Sequence, residues 1–491
     1  MKPFLQRGSI QGKGTGYQPD LSRKSLLATS ARLWLIGLST VFLAHPAFAI
    51  ETEFVPTSTD STPFWSAVTD LASQGYVEDE YFVSGDANIY EYDGDLELQV
   101  MTPDVPYTTR IMIRRPQNPA EFNGVVVFEM MNPTATWDID FIWQYTQDLL
   151  MREGYIWVGM TIRPIAVDAL KGFDPLRYAP VNIIERGQSY DAFGDIAVLL
   201  QDPADVENPL ANYEISHMIG AGYSQSEDWL TTFSNELHEA KTAADGTTAF
   251  DGYLGANGNA AAHPIWSGDP DAFIGRFYLD DRRYNSVDAP YFRTASETEL
   301  ELFTFPANEV RQPDSDIYRQ WEVAGTTHAD TPTTNEVNAT MIRDFGFPLP
   351  SCDHQPTGDV DMGPYISAAL HHLRLWVTDG ILPPASEYIA LNGTNDVARD
   401  DFGNALGGIR IPDLEAPLGS YLPFNSGLGP CSFAPSFFPF SEEELAGLYR
   451  NHGKYVSKAV KAVNQLVRDG YMLPEDAEVI RNKAAQSSVG Q

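Results

Sequence analysis

The chain has 491 residues, with 32 Lys and Arg against 67 Asp and Glu, for a formal net charge of −35. A carboxylate excess of that size repels phosphate backbones and anionic lipid, which excludes a nucleic-acid or anionic-membrane binder. Hydrophobic residues at 43%, aromatics at 12% and charged residues at only 20% furnish a sizeable packed core and exclude a disordered chain.

Residues 1–49 carry Lys2, Arg7, Lys13, Arg23, Lys24 and Arg32 against one acid, Asp20, then an apolar run from Leu33 to Leu43 and the pattern Ala47-Phe48-Ala49. A basic leader, a short apolar stretch and small residues at its end read as an export signal cleaved after Ala49. The run is short for a membrane span, so an uncleaved anchor is the lesser alternative. Residues 50–491 are then expected to be one domain with insertions, working in a periplasm or outside the cell. In that setting the two cysteines, Cys352 and Cys431, are expected to form a single bridge. They make no zinc signature, and no other stretch of the sequence supports a metal. The acid excess keeps copies of the molecule apart in solution and says little about substrate.

In chain order, Asn88 to Arg115 alternates polar and β-rich stretches around Asp93-Gly94-Asp95, as antiparallel strands near a sheet edge do. Gly124 to Met130 is a short continuous apolar run, the mark of a strand buried on both faces with helices on either side. Asp138 to Glu153 carries a helical stripe of Phe141, Ile142, Tyr145, Leu149 and Leu150 that stops at Gly154, and Tyr155 to Ile162 is β-rich again. Strand, helix, strand is a βαβ unit with a right-handed crossover onto a parallel sheet. The alternation continues with a helix over Ser189–Leu200, a strand over His217–Tyr223, a helix over Glu227–Leu237 and a strand over Phe250–Leu254. Two extended segments follow, Ala289–Ala295 and Tyr318–Ala324, then an amphipathic helix from Tyr365 to Thr378 stopped by Gly380. Residues 385–440, rich in Gly, Pro and Phe, form an irregular excursion that covers a site or braces the fold. A C-terminal helical segment runs from Ser441 to about Arg468.

The chemistry concentrates where the strand ending Gly222-Tyr223 runs into Ser224-Gln225-Ser226 and a helix. This Gly-x-Ser-x-Ser pattern is a form of the nucleophile elbow, in which a sharp turn projects a serine Oγ from the carboxyl edge of the sheet. Backbone N–H groups at the helix start then face a developing oxyanion. The bland alternative is a serine that merely caps its helix. In this architecture an acid and a histidine follow the serine in that order, each after a later strand. Ser296-Glu297-Thr298-Glu299 follows the first extended segment, and Gly325-Thr326-Thr327-His328-Ala329-Asp330 follows the second. His328 is the candidate base, Glu299 the preferred acid and Glu297 its close rival, whereas Asp330 reads as a helix cap. Oxyanion donors are expected from the N–H of Gln225 and from Asn132, by backbone or side chain, because Pro133 beside it has no N–H. Trp137, Trp143 and Tyr223 line either an acyl pocket or the core.

With these residues in place the chain resembles the alpha/beta-hydrolase fold, and within it a group of domain-containing proteins with a Gly-x-Ser-Gln-Ser elbow. The likeness is carried by Phe173-Asp174-Pro175-Leu176-Arg177-Tyr178, Ser189-Tyr190-Asp191, Gly222 to Ser226, Ser296 to Glu299, Trp321 to Asp330, Ala368-Ala369-Leu370 and Gly407 to Pro412, and spans about residues 85 to 485. It implies an α/β fold with a mostly parallel central sheet flanked by helices, the excursion and C-terminal helices included. It also makes Ser226 a feature of the group. There the last residue of the Ser-Glu-Thr-Glu stretch is commonly Asp, so Glu299 lengthens the arm and leaves Glu297 in contention. The expected activity is hydrolysis of a small-molecule carboxylic ester through an acyl-enzyme, with no cofactor. A catalytically silent scaffold that binds a ligand or a protein is the alternative.

Overall fold

The computed structural model describes residues 50–93, 97–259, 263–268, 283–285, 288–302, 306–354 and 360–490. The segment expected to be an export signal, residues 1–49, lies outside the described residues, as does the Gly94-Asp95 part of the first turn. Among the described residues no helix is long and apolar enough to cross a membrane.

The strands, in chain order, are β1 (Glu51–Phe54), β2 (Tyr76–Tyr92), β3 (Leu98–Pro116), β4 (Val125–Met130), β5 (Ile156–Met160), β6 (His217–Tyr223), β7 (Gly252–Ala256), β8 (Tyr291–Ser296), β9 (Tyr318–Ala324) and β10 (Ile409–Arg410). They form one sheet in the order β1-β2-β3-β5-β4-β6-β7-β8-β9-β10. From β5 to β10 every neighbouring pair is parallel, whereas β1, β2 and β3 form an antiparallel flank that joins the rest where β3 pairs with β5. The antiparallel pair expected at the sheet edge is present and longer than its sequence signal.

Each residue of β4 is buried, because helices cover both faces of the sheet. Side chains alternate along the strand, so Val125 and Val127 enter one core and Val126, Phe128 and Met130 the other. The first core receives Ile142, Trp143 and Leu149 from the helix Phe141–Glu153, with Leu370 and Leu373 from the helix Gly363–Asp379. The second receives Phe193 and Ile196 from the helix Gln188–Gln201, with Trp229 and Phe233 from the helix Gln225–Glu236. Trp143 is therefore core, packed 5.8 Å from the Trp157 ring, and lines no acyl pocket. Trp137 stacks 5.8 Å from Trp65.

Two fully buried arginines of β3 fix the loop after β4. Arg110 donates to Asp138 at 3.0 Å, and Arg114 bonds Asp140. Buried charges persist only when paired in this way. The loop closes on itself where Asn132 bridges Ile139.

Towards the C-terminus, the single helical segment expected from Ser441 is two helices, Glu442–Leu448 and His452–Asp469, followed by a third, Pro474–Gln486. The break arises at Asn451, whose side chain accepts the N–H of Lys454 and so starts a new helix instead of continuing the old one. The helix Thr331–Phe345, not marked by any apolar stripe, opens on Asp330, which caps it by accepting the N–H of Thr333 at 3.0 Å. The excursion holds a small hairpin, β11 (Gly419–Leu422) with β12 (Ser436–Pro439), and a disulfide joins Cys352 to Cys431 with Cα atoms 5.4 Å apart.

Candidate active site

At the carboxyl end of β6, Ser224 has φ 56° and ψ −125°. A non-glycine residue holds a positive φ only where its surroundings impose it. Here the Ser224 N–H donates to the Ala256 carbonyl at the end of β7 (2.8 Å), and its own carbonyl accepts the Glu227 N–H (2.9 Å) in the following helix. The turn is so tight that a Cβ on Gly222 would lie 2.5 Å from the Ser226 carbonyl oxygen, which explains the glycine. Ser226 is accommodated because its hydroxyl donates to the Met131 carbonyl at 3.2 Å.

The two rival carboxylates are sorted by what they face. Glu299, completely buried, bonds His328 Nδ1 at 2.6 Å through Oε1 and accepts the Ser296 N–H at 2.6 Å through Oε2. Glu297 points elsewhere: it accepts the Gly325 N–H at 2.5 Å and pairs with Arg399 at 3.2 Å. Burial raises the Glu297 carboxyl to about 7, with Arg399 and the Gly325 N–H pulling the other way. Glu297, the rival acid of the sequence reading, therefore has its oxygens engaged with Gly325 and Arg399 and not with the imidazole.

His328 is buried and held from several sides. Its N–H donates to Thr298 Oγ1 (3.0 Å), and its carbonyl accepts from Tyr145 (3.4 Å) and, in a closer bond, from the Tyr223 hydroxyl. The imidazole lies 5.4 Å from the Tyr223 ring and 5.2 Å from the Phe433 ring. Tyr223 directly precedes Ser224, so one side chain ties the serine's strand to the histidine's turn. Asn257, at the end of β7, donates to the same hydroxyl at 2.9 Å. From the excursion, the Phe433 carbonyl accepts the Ala329 N–H (2.8 Å) and the Thr327 hydroxyl (2.6 Å), so the segment carrying Cys431 braces this turn.

Gln225 opens the helix after Ser224, where helix geometry leaves the first N–H groups without an intrahelical acceptor. Asn132 stands differently from expectation. Its backbone N–H is taken by the Ile139 carbonyl at 2.8 Å and its side-chain amide donates to the Tyr223 carbonyl at 2.7 Å. The loop closure uses the N–H that an oxyanion would need, and Asn132 holds the elbow instead. Sequence reasoning missed Tyr145, Asn257, Thr298 and Arg163, whose Nη1 donates to Gln225 Oε1 at 2.7 Å. For Arg163 a signal existed, a charged residue just past the end of a buried strand.

Among the described residues, no group of three or more His, Cys, Asp or Glu is arranged to hold a metal ion. A separate cavity of about 470 Å³ is lined by Tyr145, Glu336, Asp361, Asp413 and Asp476. Burial raises Glu336 and Asp413 to about 7 and Asp476 to about 6. Unfolded carboxyls titrate near ~4, so between that pH and the folded value the native state holds protons the unfolded chain has released. Stability from these groups is therefore full at the acid end and lost progressively as pH rises from about 4 to the folded values of 6 to 7. The melting temperature is expected to fall between pH 5 and pH 8, and to fall less in Asp413→Asn; equal slopes in thermal melts of the two proteins would refute this.

A family profile described as an alpha/beta hydrolase domain matches residues 47–482. No curated protein matches the chain. Similar solved structures include the esterase Est22, at 12% identity and TM-score 0.27, over 46% of this chain and 66% of that one. An alpha-beta serine hydrolase homologue from Coxiella burnetii aligns at 9% identity and TM-score 0.27, over 45% of this chain and 84% of its own. A serine hydrolase without lid from Xanthomonas campestris aligns at 10% identity and TM-score 0.28, over 48% and 86% respectively.

Proposed function

The chain belongs to the alpha/beta hydrolase domain family, and from that premise we propose that it is an exported serine hydrolase cleaving carboxylic esters through an acyl-enzyme. Residues 50–491 make the catalytic domain in this reading. Export is supported by the basic leader and apolar run of residues 1–49 and by the Cys352–Cys431 bridge, since such bridges persist in oxidising compartments.

Ser224 Oγ attacks the ester carbonyl and His328 Nε2 takes its proton. Glu299 accepts the Nδ1–H, which fixes the tautomer that leaves Nε2 free to act as a base and stabilises the imidazolium that forms. The Gln225 N–H, at the positive end of its helix, faces the oxyanion. Collapse breaks the ester C–O bond, the departing alcohol takes the proton back from His328, and water repeats the sequence on the acyl-enzyme. The observation that carries the reading is the 2.6 Å bond from Glu299 to His328 on a turn tied to the elbow of Ser224.

Its test is covalent labelling of folded protein by a fluorophosphonate at Ser224, read by peptide mass, with turnover of 4-nitrophenyl acetate alongside. A well-folded protein that takes no label moves the reading to a ligand-binding scaffold of the same fold.

A further inference from the structure

Arg163 stands against the elbow, and neither it nor its neighbour Arg186 forms an ion pair among the described residues. Beyond β5 the chain continues through Thr161 and Ile162 to Arg163, which immediately precedes the helix Pro164–Phe173. The half-buried guanidinium of Arg163 donates to the side chain of Gln225, the residue after Ser224. Burial and the neighbouring Arg186 charge lower the Arg163 pKa, so the two cations feel each other. Arg186 is nearer the surface: its Nε donates to Ser267 Oγ at 3.3 Å in an exposed bond, and the N–H of the same serine donates to Glu185 Oε1 at 2.6 Å. Among the described residues neither cation lies within ion-pair distance of a carboxylate.

The contrast with the rest of the fold is what gives this weight. Arg110, Arg114, Arg177 and Arg293 are buried, and each is matched to an acid, Glu80 with Asp138, Glu78 with Asp140, Glu80 and Glu227 in turn. A half-buried cation without a counter-charge carries a desolvation cost, and a chain with 67 acids has no shortage of candidates to relieve it. Nearby, burial and these same two arginines hold His263 well below the usual histidine range, so it adds no third positive charge. The region beside the nucleophile is thus built with positive charge left open.

We propose that Arg163, backed by Arg186, receives a free carboxylate on the substrate, so that the preferred esters are anionic. This rests on the serine-hydrolase reading of the same site. The planar fork of a guanidinium matches a carboxylate in two parallel hydrogen bonds. That group takes no part in bond making; it sets where the ester carbonyl sits relative to Ser224.

The experiment uses matched pairs that differ only in whether a second carboxyl is free: monomethyl against dimethyl adipate, and 4-acetoxybenzoate against its methyl ester. The wild-type protein is expected to show a kcat/KM ratio, free acid over methylated, of about ten or more in at least one pair. That ratio is expected to drop about tenfold in Arg163→Gln, chiefly through KM, and by less in Arg186→Gln, while Arg163→Lys retains a ratio above one. Melting temperatures of the three variants show that each is folded. Wild-type ratios at or below one in both pairs, or an unchanged ratio in Arg163→Gln, overturn the proposal. If Ser224 is labelled and the neutral esters turn over without any such preference, the inference fails and the hydrolase reading stands. If no ester is cleaved and no label is taken, both fail.

Discussion

Ser224→Ala is expected to lower kcat for ester hydrolysis by a factor on the order of 10⁵ and to abolish fluorophosphonate labelling. A nucleophile removed from a unit that works together costs nearly all of the acceleration that unit gives, and only the oxyanion and binding contributions survive. Backbone geometry supplies a second reading from the same position. Because Ser224 sits at φ 56°, alanine inherits the strain of the elbow while glycine does not. Ser224→Gly is therefore expected to be as inactive as Ser224→Ala and to melt at a higher temperature. If Ser224→Ala keeps more than about a tenth of wild-type kcat, the acyl-enzyme mechanism at this residue is wrong, since no background rate approaches that level.

The second large effect separates the two acids. Glu299→Gln is expected to reduce kcat by about 10³ to 10⁴, because an amide in that place donates to Nδ1 and forces the tautomer whose Nε2 already carries a proton. Glu297→Gln is expected to change kcat by less than about tenfold, since its oxygens meet Gly325 and Arg399 and not the imidazole. Steady-state kinetics on one neutral ester decide the matter. A larger loss in Glu297→Gln than in Glu299→Gln would invert the assignment of the acid.

How these residues were legible in the sequence follows from how local each signal is. The buried run ending at Tyr223, the glycine two before Ser224 and the helix after it all lie within one strand-turn-helix, and Gly222 is required by an approach of backbone to backbone within that turn. The parallel strands β4 to β7 are nearly as plain, being mostly apolar runs, whereas β8 and β9 are buried yet carry Arg293, Arg319, Gln320 and Glu322 within them. Glu297 and Glu299 share the same short stretch, and what tells them apart is Arg399, delivered by a remote part of the chain. Asn132 illustrates the same limit. A loop after an early strand was the right place to look, yet its N–H is used in a bridge to Ile139 that composition does not reveal. The helix Thr331–Phe345 is legible only at its start, where Asp330 reads as a cap with a proline two residues on, because Thr, Asn and Asp interrupt the apolar face that would show its length. The bond of Arg163 to Gln225 joins the starts of two helices far apart in the chain, brought together by the strand order.

That strand order has a kinetic corollary. Ser224, Asn257, Glu299 and His328 each stand just past the end of a strand, on β6, β7, β8 and β9, which are successive neighbours in the sheet. The Glu299–His328 bond exists only when β8 and β9 are in register, with Ser296 opposite Val323. The parallel pairings that hold this set in place, β4 with β6 and β9 with β10, join strands far apart in the chain, and such long-range contacts are slow to form as a chain folds. On the proposed mechanism, a refolding molecule with its helices formed and its sheet unfinished is expected to be inert, and regain of ester hydrolysis after dilution from denaturant is expected to follow completion of the sheet. Turnover on that mechanism then reports that β6, β7, β8 and β9 have come into register together.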